Sequence, residues 1–64
     1  MSTTFEVLLG QHRSKRTQIA DALANGAAKD YAEYRAMCGE IRGLLAAEMH
    51  VQDLAKHLEN NDDE

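Results

Sequence analysis

Proline is absent from this 64-residue chain, so no position forbids a helix interior or removes a helical amide donor. Cysteine occurs once, at Cys38, which excludes an intramolecular disulfide and fits a reducing compartment. Strand signals, meaning alternating runs of β-branched and aromatic residues, are nearly missing. No apolar run approaches the roughly 18 residues of a membrane span. The opening MSTTFEVLLGQHRSKR has no basic leader followed by a continuous apolar core, so a soluble, unprocessed chain is expected. What the sequence holds in abundance is alanine, leucine and charge, the composition of helices.

A chain of this length buries only about 60% of its unfolded surface, and it is marginal unless a metal, a disulfide or a partner adds contacts. The net charge of −4 is unevenly spread. Residues 1–32 hold four Lys/Arg against three Asp/Glu, whereas residues 33–64 hold three against eight. An acidic second half argues against a general nucleic-acid surface.

Thr3-Thr4-Phe5-Glu6 is a T-x-x-E capping box, which places a helix start there. Phe5, Leu8, Leu9, His12, Arg16, Ile19, Ala20, Leu23 and Ala27 then fall on one face at helical spacing. Asn25-Gly26 reads as a helix stop, and Asp30-Tyr31-Ala32-Glu33 as a second start with aspartate as N-cap. The expected fold is all-α: an antiparallel hairpin of helix 1, about 4–25, and helix 2, about 31–59. Residues 1–59 form the hairpin domain, and the acidic end, 60–64, is expected to be a disordered tail.

The predicted stripe of helix 2 is Tyr34, Met37, Ile41, Leu44, Val51, Ala55 and Leu58, edged by Cys38, Leu45, Ala47 and Leu54. Pairing outward from the short connection sets Leu23 near Tyr34, Ile19 near Met37, His12 near Leu44 and Phe5 near Val51. Arg16 is then expected to pair with Glu40, and the end of helix 2, with Leu54 and Leu58, to overhang helix 1. Those exposed leucines point to an intermolecular contact.

Gly39 and Gly43 form a G-x-x-x-G flanked by Ala36, Ala46 and Ala47. Each costs the helix about 1 kcal/mol relative to alanine, which suggests close approach of another backbone. The expected protein interface is accordingly Gly39, Gly43, Leu44, Ala47, Val51, Leu54 and Leu58. The one basic cluster, His12-Arg13-Ser14-Lys15-Arg16, spreads around the helix, with Arg13 and Lys15 about 160° apart by helical geometry. A solvated face is the simpler reading. Arg13, Lys15, Arg16 and Arg42 would be the contacts if the chain bound nucleic acid or an acidic partner.

No catalytic or cofactor constellation emerges. Glu48 and His50 lie about 200° apart on a helix and cannot converge on one ion with His12, while His50 and His57 share a face without a third ligand. Cys38 has no adjacent base and reads as a small core residue. Neither an enzyme, a cofactor, a metal nor a small-molecule substrate is expected.

Glu33, Tyr34, Gly39, Ile41, Gly43 and Leu44 spell E-Y-x-x-x-x-G-x-I-x-G-L. With this core, residues 30–58 resemble small helical proteins encoded in the structural-gene modules of tailed bacteriophages. The resemblance implies a noncatalytic virion or morphogenesis component, acting in the host cytoplasm during assembly or in the virion. It would dock on itself or on a larger phage structural protein. The alternative is a regulatory binder of nucleic acid or of a host enzyme, built as a helical-hairpin dimer.

Overall fold

The structure, a computed structural model, describes residues 3–62 and, for 60–62, the backbone only. Two helices account for it: α1, Thr3–Ala24, and α2, Tyr31–Asp62. They pack as a hairpin 52 Å long and 17 × 11 Å across. Helix α1 opens on Thr3 itself, so the threonine read as a cap is already helical. Helix α2 continues to Asp62, past the expected end at residue 59, because no glycine or proline follows Glu59 to stop propagation. Of the expected disordered tail, residues 60–62 are therefore helical, and 63–64 lie outside the described residues.

Both ends of the connection follow from local chemistry. Gly26 has φ +80°, and its amide donates to the Leu23 carbonyl at 3.1 Å while Ala27 N–H donates to the Ala22 carbonyl at 3.0 Å. This is a Schellman closure, which glycine adopts without a Cβ penalty. At the start of α2 the Glu33 amide donates to Oδ1 of Asp30 at 2.8 Å, and the Lys29 amide to Oε2 of Glu33 at 2.7 Å. Asp30→Ala removes the first of these. It should destabilise the hairpin by about 1 kcal/mol, read as a lower urea midpoint by far-ultraviolet circular dichroism.

The contact seam is built from spacings that alternate four and three. On α1 it runs Phe5, Leu9, His12, Arg16, Ile19, Leu23; on α2 it runs Met37, Ile41, Leu44, Glu48, Val51, Ala55, Leu58. Leu9, Ile19, Ala55 and Glu48 are its buried members. Arg16 meets Glu48, not Glu40. Carried outward at equal rise, that pair sets Leu9 level with Ala55, Ile19 with Leu45 and Leu23 with Ile41. The helices are thus offset by about one heptad from the register that loop length suggested.

The overhang consequently lies at the opposite end from the expected one. Helix α1 stops at the level of residues 37–40 of α2, so the first turns of α2 project alone, and residues 29–36 are all exposed. The connection permits this. Ala24 and Tyr31 are seven residues apart, a reach of up to about 23 Å, against an axial offset of about 14 Å. A short loop makes the helices antiparallel; it does not set their register.

Candidate protein interface

Glu48 anchors the hairpin. It is only 4% exposed, and both of its oxygens are bound by Arg16, whose Nε donates to Oε2 at 2.7 Å and whose Nη2 donates to Oε1 at 3.2 Å. Arg13 Nε lies 3.4 Å from the same Oε1. The fork of hydrogen bonds from Arg16 holds the Glu48 carboxyl below the ordinary range, against the opposing effect of burial, with the Arg16 and Arg13 charges adding to the shift. Reciprocally, the Arg16 guanidinium is pushed further above its ordinary value, first by its hydrogen bond to Glu48.

This arrangement divides the basic cluster. Arg13 and Arg16 turn to one carboxylate of their own chain, while Lys15 is exposed on α1 and Arg42 is exposed on α2. The four cations named as candidate nucleic-acid contacts do not form one surface. His12 is half-buried in the seam, and His50 and His57 are exposed. Among the described residues, no three His, Cys, Asp or Glu side chains gather as a metal site, and no helix is long and apolar enough to cross a membrane. An open concavity of about 480 Å³ on the outer side of α1 is lined by Val7, Gly10, Gln11, Ser14, Lys15 and Gln18. It presents no acid–base pair.

The expected interface residues fall in three places. Leu44 and Val51 are half-buried seam positions that pack within the hairpin, and Ala47 is half-buried beside them. Leu54 and Leu58 are exposed. Gly39 and Gly43 face open space, with no atom within 4 Å of where a Cβ would stand. Helix α1 does not approach these glycines, so the close backbone contact expected of them is not made within the chain.

At about 100° per residue, α2 carries two apolar flanks on either side of its seam. Ala47 and Leu54, continuous with Val51 and Leu58 at that edge of the seam, form one. Tyr31, Tyr34, Cys38, Leu45 and Met49, within an arc of about 60°, form the other. On this second flank Tyr31, Tyr34, Leu45 and Met49 are exposed and Cys38 is half-buried. The two tyrosine rings stack at 6.2 Å with 26° between planes. The Tyr34 phenol is pushed up, first by a hydrogen bond to the Cys38 side chain one turn on.

Sequence reasoning missed Glu48 as a core residue and Tyr31 and Met49 as surface apolars. A signal existed for the first. Both Arg16 and Glu48 sit where the alternating four-three spacing calls for apolar residues, the positions at which a polar residue fixes coiled-coil register. Comparison of the chain with family models, curated proteins and solved structures finds no match.

Proposed function

We propose that this chain is a noncatalytic helical assembly module, a hairpin that docks through the flanks of α2. The observation that carries the reading is the imbalance between core and surface. Among the described residues, only Leu9, Ile19 and Ala55 are buried apolar residues and no side chain is fully enclosed, whereas seven large apolar residues are exposed. A hairpin of two helices has one seam, and apolar residues on both flanks of that seam are covered only by further helices.

The phage-like pattern Glu33, Tyr34, Gly39, Ile41, Gly43, Leu44 supports placing the module in virion morphogenesis, docked on itself or on a larger particle protein. A gene position beside portal, scaffold or tail genes is the corresponding expectation. The regulatory alternative draws less support, because Arg13 and Arg16 are engaged by Glu48.

Equilibrium unfolding at high dilution tests the docking role. The chain alone, as monomer, should be held by no more than about 3–5 kcal/mol, the ceiling for a single small core. A chain that sediments as a monomer at micromolar concentration yet unfolds cooperatively well above that ceiling would be self-sufficient, and the reading would fail.

A further inference from the structure

We propose that the flank bearing Tyr31, Tyr34, Leu45 and Met49 receives a second copy of this chain, packed antiparallel about a two-fold axis near residue 40 of α2. The inference rests on the assembly reading and names its first partner.

Position supports it first. The apolar residues of the flank span 31–49, so their midpoint is residue 40, close to the level at which α1 ends. A second copy turned end for end about that level lays its own residues 41–49 beside the unaccompanied first turns of α2, and receives the same in return. Such an isologous contact requires a patch complementary to its own reverse. This flank is aromatic at one end and aliphatic at the other. Tyr31 comes level with the second copy's Met49, a thioether against a ring, and Tyr34 with its Leu45. Of the carboxylates within 31–49, Glu33 and Glu40 fall on the opposite flank and Glu48 is buried against Arg16, while Arg35 and Arg42 border the contact as cations able to lie over tyrosine rings.

Area supports it second. A globular chain of 7.1 kDa exposes about 4,100 Å². This one exposes 4864 Å². The excess, about 800 Å², matches one partner's share of an interface of standard size. The opposite flank is the weaker candidate, since it exposes two large apolar residues, Leu54 and Leu58, against four here.

Sedimentation equilibrium of the full chain, with spin-label distances, tests the proposal. The chain is expected at twice its 7.1 kDa mass. Leu45→Glu with Met49→Glu should raise the dissociation constant about 100-fold or more while leaving helicity intact, because charges replace exposed residues of the monomer but lie inside the dimer contact. Leu54→Glu should leave dimerisation unchanged. On a Cys38→Ser background, labels at Glu40→Cys should lie within about 20 Å of each other, and labels at His57→Cys about 50 Å apart, as antiparallel packing about residue 40 requires. Dissociation by Leu54→Glu in place of the Leu45/Met49 pair, or short distances at both label sites, would overturn the proposed contact and leave the assembly reading standing. A monomer up to millimolar concentration would overturn self-pairing. The docking role would then rest on the unfolding measurement, which reads it independently.

Discussion

Replacing Glu48 with alanine is expected to lower the thermal midpoint by about 10–20 °C, more than truncation of any exposed residue, because it leaves Arg16 beside an apolar seam with no counter-charge. Arg16→Leu combined with Glu48→Leu should behave oppositely. A leucine pair fills the seam without desolvating any charge, so the double variant should recover the lost midpoint or exceed it. Acid titration separates the two contributions. The Glu48 carboxyl is lowered from 4.5 in the folded chain, so the stability it supplies is present above that value and is lost as pH falls below it through the folded pKa. The double variant should lack this part of the acid transition. A double variant as unstable as Glu48→Ala would mean that the seam tolerates no apolar filling there.

What the double variant should lose is uniqueness of register. Sliding the helices by one heptad sets Arg16 level with Ile41 and Glu48 level with Leu9; Ile19 then meets Met37, Leu23 meets Tyr34 and Phe5 meets Val51, while Ala55 and Leu58 pass beyond the start of α1. That is close to the register obtained by counting outward from the connection. Hydrophobic spacing alone fits both alignments, because a heptad repeat maps onto itself after seven residues. Only the charged pair distinguishes them, since the slipped alignment places an arginine and a glutamate singly against apolar neighbours. Polar seam residues that fix an alignment at some cost in stability are a known use of such positions.

The same reasoning explains which parts of the structure were legible. Helix identity, the Schellman closure at Gly26 and the Asp30 cap depend on residues within a turn of one another, and local sequence predicts them. The register depends on residues 32 apart, and a hydropathy pattern that discards Glu48 as polar discards the residue that decides it. Once the register moves, the surface moves with it. Leu54 and Leu58 pass from an overhang to a flank alongside α1, while Tyr34 passes from a position paired with Leu23 to a solitary helix end that it shares with Tyr31. The glycines were legible as an anomaly in α2 but not as a contact within the hairpin, where both face open space.

Leu9 and Ala55 give the register a second test that no charge influences. They are 4% and 3% exposed, and in the observed alignment they lie at one level, a large side chain opposite a small one. Leu9→Ala should cost about 2–5 kcal/mol, through lost burial and an unfilled cavity. The monomer is held by no more than about 3–5 kcal/mol, so the variant should be largely unfolded at 37 °C. Ala55→Leu should cost about 1–3 kcal/mol by overpacking. Together they exchange large for small across the seam and conserve volume, so the double variant should regain a favourable coupling of at least about 1 kcal/mol in a double-mutant cycle read by urea denaturation. In the slipped alignment Leu9 lies level with Glu48 and Ala55 lies beyond the start of α1, so the two positions do not meet. Additive losses would therefore favour that alignment, whereas recovery ties the buried Leu9–Ala55 level to the same register as the Arg16–Glu48 pair, which lies seven residues further along the bundle.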